Sequence, residues 1–443
     1  MTNSNTISMG NRQKGSCGIR SSEKIVKRFN NITESSVAGA VAEPFVMMEQ
    51  VIIVLLAGII GAKLSERFGL PMIIPLFISG YIIGPEGLGI FAPLELGLSL
   101  SVIVTLAIPV ILFDEGMHID LKLLNEFKSS IFLLVTLAVV ISTVGVGLVA
   151  HLIFGMPLLV ALLMGSILAA TSPAAVVAII KQLEVERKIG TIMEAEASFN
   201  DATSIVLFTI FSGAILGAGI SFSGAIFAFL RLFFGGLIVG VLLSLVAGFF
   251  IEKSNMQEYA VYLSLVIFLG AYSVAELLTA NGATAVVTSG LVLRGVLSKP
   301  MLGASRQEKV LDFWSNIAFL AQSIIFLVLG AGFSISMLTS VWFQALVIVL
   351  LLFFVIRPIS VFAATHFEKR LSRSEKLFLS WIGARGAVPA ALAASAIGLE
   401  IAEAPQIFNI VVVVVLASLL ITGFTGRKMA KATLTTPLAS KKS

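Results

Sequence analysis

The sequence predicts an all-α polytopic membrane protein, and three observations carry that prediction. Of 443 residues, 57% are hydrophobic and 12% charged, with a mean hydropathy of +1.02, whereas soluble domains carry about 25% charged residues. Between residues 50 and 426 apolar runs recur, each of roughly 18 residues or more and so able to cross a hydrocarbon core of ~30 Å. The basic residues then alternate between the connections. Lys63 and Arg67, Lys122 and Lys128, Lys181 to Lys188, Lys253, Arg294 to Lys309, Lys369 to Lys376 and Arg427 to Lys442 hold twenty-one of the thirty Lys and Arg. The connections in between hold none.

Apolar runs between turn signals give spans near 50–66, 70–84, 99–116, 130–153, 157–180, 191–217 and 222–251, then 259–277, 282–297, 313–333, 340–366, 376–397 and 406–426. Only Thr279 to Gly282 separates the eighth from the ninth. Thirteen spans with this alternation place the N-terminus outside and the C-terminus in the cytoplasm by the positive-inside rule. Residues 49–426 form the transmembrane domain and 427–443 a short basic cytoplasmic tail, too short to fold a regulatory module.

Residues 1–48 are polar and carry six basic residues on the expected outer side. They read as an extension outside the folded or mature protein: a start at Met47 or Met48 is one explanation, and an organelle transit peptide, basic and free of acids over residues 1–22, is the other. The sequon at Asn31 is too short a pattern to carry weight.

Composition excludes several classes. One cysteine, Cys17, permits no intrachain disulfide, and three scattered histidines, His118, His151 and His366, form no ligand cluster. The basic residues are dispersed rather than gathered in a nucleic-acid patch. No cofactor is expected, and the bilayer is the partner that the composition demands.

Ionisable residues within spans are costly, so they mark function by default. Arg231, Glu194 and Glu276 sit near span ends, where a long side chain reaches the interface. Arg357 precedes Pro358 well inside a span and suggests no role by itself. Asp201 lies eleven residues from Gly190, about 16 Å deep, with Ser198 and Ser204 three residues to either side on one helical face. A carboxylate among hydroxyls is hard-cation chemistry.

Two further spans are interrupted at matching depth. Thr171-Ser-Pro173 breaks the fifth, and Gly383-Ala-Arg-Gly-Ala-Val-Pro389 breaks the twelfth, because proline removes a backbone hydrogen bond and clashes with the preceding turn. By helical rise Thr171 is about 15 Å deep and Arg385 about 14 Å. Broken helices seven spans apart point to two inverted repeats, spans 1–6 and 8–13, with a binding site at the midplane.

At these residues the chain resembles sodium/proton antiporters of the NhaP type, within the monovalent cation:proton antiporters, and through them the animal exchangers. The anchors are Phe113-Asp-Glu-Gly116, Ala170-Thr-Ser-Pro-Ala174, Glu196 to Asp201 and Gly383-Ala-Arg-Gly-Ala387. The resemblance implies crossed broken helices, a six-helix transport bundle, a homodimer and a prokaryotic plasma membrane. It makes Asp201 the carboxylate that binds Na+ or H+ in turn, Asn200 its neighbour, Thr171 a ligand, and Asp114 or Glu115 an acid at the cytoplasmic mouth. Glu196 and Arg385 would form a buried ion pair between spans 6 and 12. Two departures stand out: Ser172 occupies a position often held by Asp, and Ala197 one often held by Ser, with Ser198 as a substitute ligand rotated about 100° round the helix. K+ therefore stands beside Na+ and Li+ as a transported ion.

The leading expectation is a secondary antiporter exchanging Na+ or Li+ for H+, one for one, with a K+/H+ antiporter or K+ efflux protein of related fold as the alternative. An intramembrane aspartyl protease would need Tyr-Asp and Gly-x-Gly-Asp sequences, which the chain lacks, so no enzyme activity is expected.

Overall fold

The computed structural model of the chain describes residues 52–65, 67, 72–91, 98–173, 176–177, 185–219, 221–253, 256–298 and 304–434. The expectations for residues 1–48, including Cys17, and for 435–443 lie outside them. The chain divides into two compact units, residues 1–56 and 57–443. Of the first, residues 52–56 are described, the opening of helix α1, and all contacts below belong to the second.

The described residues are mostly helical, with no strand among them. The helices are α1 (Ile52–Ser65), α2 (Ile73–Ile83), α3 (Leu98–His118), α4 (Leu121–Glu126), α5 (Lys128–Val135), α6 (Leu137–Phe154), α7 (Leu158–Ala169), α8 (Arg187–Gly213) and α9 (Phe222–Lys253). They continue as α10 (Ala260–Leu277), α11 (Gly282–Leu297), α12 (Ala304–Ala331), α13 (Ile335–Leu351), α14 (Arg357–Ala364), α15 (Arg373–Trp381), α16 (Ala387–Gly398) and α17 (Ala404–Leu434). By length and composition seven helical stretches can cross a membrane, and five shorter apolar helices accompany them. Each expected span contains one of these or α3. The narrow division between α10 and α11 has a clear cause: Asn281 caps α11, its Oδ1 accepting from the Thr284 N–H at 2.9 Å, after Thr279 turns the chain at φ 54°.

Helix α8 is the axis of the packing. Every residue from Ala195 to Ser204 is buried, against α3, α5, α7, α9 and α11 among others, so this helix has no lipid-facing stripe at the level of Asp201. Small residues let other backbones touch. A Cβ on Gly116 of α3 would collide with the Val287 carbonyl of α11, and one on Gly290 of α11 with the Phe113 carbonyl of α3. Gly80 of α2 and Gly330 of α12 meet the Leu327 and Phe77 carbonyls in the same reciprocal way, the contact that glycines support between membrane helices.

Both expected breaks are present, and they cross. α7 ends at Ala169, residues 170–172 are non-helical, and helix resumes at Pro173, where a missing N–H costs nothing because the first helical turn leaves it unpaired. The second break, residues 382–386, separates α15 from α16. The Ser172 N–H donates to the Ala384 carbonyl at 2.7 Å. At the crossing a Cβ on Gly386 would strike the Ser172 side chain.

These contacts set opposite expectations for two alanine substitutions. Gly290→Ala should destabilise the protein by about 1–3 kcal/mol through backbone overpacking. Gly423→Ala, at a position with open space around it, should be neutral or stabilising by up to about 1 kcal/mol. Thermal unfolding in detergent reads both; equal effects would mean that the α3–α11 contact is not tight.

Candidate cation site at the crossing of the broken helices

Asn200 ties α8 to the first break. Its Oδ1 accepts from the Thr171 N–H at 3.1 Å, while Nδ2 donates to Thr171 Oγ1 at 2.6 Å and to Glu196 Oε1 at 2.8 Å. The whole amide is therefore committed to holding structure, as a fully buried polar group must be. Its neighbour differs. Asp201 is 2% exposed, yet its Oδ1 has no hydrogen-bond partner among the described residues.

The expected Glu196–Arg385 pair is not formed. Glu196 is held by Arg357 of α14, whose Nη1 and Nη2 reach Oε1 at 2.9 Å and Oε2 at 3.0 Å, a two-pronged match of planar groups. A π turn at Leu352–Ile356 precedes Arg357. Pro358 would clash with the preceding turn of a straight α-helix, and the wider turn relieves that clash while re-aiming the arginine. Arg385 faces elsewhere. Its Nε donates to the Leu168 carbonyl at 3.1 Å, Nη1 to the Gly383 carbonyl, and its N–H to Ser418 Oγ at 2.9 Å. A cation is favoured there because the end of α7 and the second break present unpaired carbonyls.

The remaining expected residues separate. Thr171 joins Asn200, as above. The Ser198 hydroxyl donates to the Glu194 carbonyl of its own helix at 2.9 Å and takes no part in the Asn200–Thr171 cluster. Ser204 is fully buried, its hydroxyl without a partner among the described residues. Asp114 accepts from Ser315 Oγ of α12 at 3.1 Å, and Glu115 has a buried Oε2 without a partner among the described residues. Arg357 is the residue whose role sequence reasoning missed, although an arginine before a proline inside a span was itself a signal. Ser418 gave none.

Compared with known proteins, residues 51–432 match the model of the family described as sodium/hydrogen exchanger, transmembrane. The chain belongs to this family. The Na(+)/H(+) antiporter NhaH of Halobacillus dabanensis is 28% identical over 86% of this chain and 96% of its own. The low-affinity Na(+)/H(+) antiporter NhaS1 of Synechocystis is 31% identical over 87% and 74%. Among solved structures, the sodium proton antiporter MjNhaP1 from Methanocaldococcus jannaschii superposes with a TM-score of 0.77 at 25% identity, over 88% of this chain and 99% of that one. The architecture is thus the NhaP antiporter fold.

In this exchanger the basic end of α8 is laced by ion pairs. Lys188 pairs with Glu375 at 2.8 Å and donates to the Arg370 carbonyl at 3.2 Å. Glu368 accepts from Arg370 Nε at 2.9 Å and from Ser130 at 2.7 Å, and Arg370 lies over the Phe127 ring. The Arg370 hydrogen bond, with help from Ser130, brings the Glu368 carboxyl down to about 2.

Two predictions follow from this geometry. Arg357→Ala should cost about 3–5 kcal/mol by leaving Glu196 buried and unpaired, with part of the loss recovered in the Arg357→Ala, Glu196→Gln double variant. Arg385→Ala combined with Glu196→Gln should be additive. A thermal-unfolding cycle that couples Glu196 to Arg385 instead would contradict the pairing. At the rim, Glu368 has a folded value below its unfolded one, so its contribution is complete above about pH 4.5 and disappears as pH falls toward 2. Glu368→Gln should therefore lower stability by a constant amount from pH 5 to 8, the difference shrinking below about pH 4.5 and vanishing only near pH 2.

Proposed function

We propose that this chain is a secondary antiporter exchanging cytoplasmic Na+, or Li+, for external H+ by competition at Asp201. The observation that carries this is the unpartnered Asp201 Oδ1, in a residue 2% exposed, beside an Asn200 whose amide is fully engaged. A carboxylate removed from water with one oxygen lacking any donor is stabilised by a proton or a cation on that oxygen. One ligand excludes the other, which is the requirement for antiport. With Asn200 rather than a second acid beside it, Asp201 exchanges one charge for one charge. The carrier then holds the same net charge with either ligand, and exchange is electroneutral and driven by concentration gradients. Activity falls at acid pH as protons displace Na+.

In this reading the chain crosses the membrane thirteen times, with the N-terminus outside and the C-terminus in the cytoplasm, and works as a homodimer. The absence of Lys and Arg from the connections near residues 90, 220 and 400 supports that orientation. Cysteines placed there should label from outside, and those near 185, 303 and 371 only after permeabilisation; labelling of position 220 from the cytoplasmic side would break the topology.

Vesicles reconstituted with the chain should show Na+- and Li+-driven proton movement, and Asp201→Asn should abolish it while leaving a folded protein. Normal exchange by that variant would place the carrier carboxylate elsewhere. Rates should match at zero and at negative membrane potential, and a clear voltage dependence would rule out one-for-one exchange. Proton movement driven by K+ and not by Na+ would change the ion and leave the mechanism.

A further inference from the structure

The helices fall into two groups. α2, α3 and α9 to α12 pack on one another in a continuous series, whereas α5 to α8 and α13 to α17 pack around the crossed breaks. On the side proposed to face outward, two connections carry the chain from one group to the other. Between α8 and α9, Gly217 and Gly219 take φ of 98° and 48° with open space around both, which leaves the backbone room to turn.

The other connection, residues 332–334 between α12 and α13, is gripped from both groups. From α2, the rings of Phe77 and Tyr81 meet Phe333 edge-on at 5.5 and 6.2 Å. Beyond the end of α2, Glu86 Oε2 accepts from the N–H of Ile335, the first residue of α13, at 2.9 Å. From α17, Asn409 Oδ1 accepts from the Ser334 N–H at 3.2 Å, while its Nδ2 donates to the Pro405 carbonyl at 2.9 Å. Two successive N–H groups are thus held by side chains of opposite groups.

Glu86 reaches across from a rigid mount. Its turn is closed by backbone bonds from Gly87 to Gly84 at 3.0 Å, from Leu88 to Ile82 at 2.7 Å, and from Ile90 and Phe91 to Ile83 at 3.0 and 2.9 Å. A Cβ on Gly84 would strike the backbone of Ala331, the last residue of α12, so the turn is seated on its own group without help from Glu86. The carboxylate is therefore spare for the joint, where it meets an N–H that the first turn of α13 cannot pair and the positive end of that helix. Hydrogen bonds from Ser334 and from the Ile335 N–H hold the Glu86 carboxyl below the usual carboxylate range, so it stays ionised at neutral pH. The titratable group facing it is Tyr81 of α2; the opening turn of α13, residues 335–338, and Asn409 carry no ionisable side chain.

We propose that Glu86 is a latch on the α12–α13 joint: its bond to Ile335 holds the two helix groups in the arrangement seen here, and each transport cycle releases it. The contact stands by itself, and its consequence for transport rests on the antiport reading above.

Two measurements on the full chain test the latch. By hydrogen–deuterium exchange and mass spectrometry in detergent, peptides spanning residues 330–340 should exchange about threefold to tenfold faster in Glu86→Ala than in the parent, the range expected for one charge-assisted bond at a helix start, with peptides spanning 195–204 unchanged. Glu86→Gln, which keeps an acceptor without the charge, should fall between the two. Equal exchange in Glu86→Ala and the parent overturns the proposal. In vesicles, a Cys17→Ser chain carrying Glu86→Cys and Ile335→Cys should lose Na+-driven proton movement when a short, cleavable bifunctional thiol reagent bridges the pair, and regain it on cleavage. A pair that cannot be bridged, or a bridged chain that transports at the unbridged rate, overturns the latch. If the parent itself moves no protons in response to Na+, the antiport reading falls, and the exchange measurement alone decides the latch.

Discussion

One backbone hydrogen bond, from the Ser172 N–H to the Ala384 carbonyl, organises the centre of this protein. Two helices are broken where water cannot reach, and every peptide group released by the breaks has to find a partner inside the protein. Crossing the breaks answers that demand for Ser172 and Ala384. Asn200 answers it for the Thr171 N–H, and Arg385 for the Leu168 and Gly383 carbonyls. Each solution fixes the next element: Asn200 clamps α8 to the first break, and that clamp sets the direction in which the adjacent Asp201 leaves the helix.

The charges of the core are ordered by how fully they are satisfied. Glu196 receives three hydrogen bonds, two from Arg357 and one from Asn200, and such a closed pair is costly to break but inert. Asp201 lies about one and a half turns further along α8, and its Oδ1 has no partner among the described residues. The contrast separates two acids five residues apart on one helix: Glu196 is neutralised within the scaffold, whereas Asp201 keeps an oxygen without a partner among the described residues.

Much of this was legible in the sequence because hydrophobic runs, prolines and helical rise report position along the membrane normal. The apolar runs, both breaks and the buried position of Asp201 follow from depth and local chemistry, whereas the Asn200–Thr171 contact does not. What depth cannot report is azimuth. Arg357 and Arg385 are both arginines inside spans, and choosing between them as the partner of Glu196 required knowing that a π turn re-aims one while bare carbonyls hold the other. Ser198 shows the same limit: its spacing from Asp201 is right, but its hydroxyl bonds back to the Glu194 carbonyl, a local competition that spacing does not reveal.

The reciprocal glycine contacts also constrain mechanics. Backbones nested carbonyl-to-glycine lose that fit on any small slide, so α3 with α11 and α2 with α12 behave as welded pairs during a transport cycle. α9 is fastened to α11 in the same manner, since side chains on Gly236 and Gly240 would collide with or crowd the Asn281 and Ala285 carbonyls. Alternating access then has to use the seams that lack such nesting. The nested contacts running α9, α11, α3 tie these three helices together, so a displacement of one carries Asp114 and Glu115 of α3 with it.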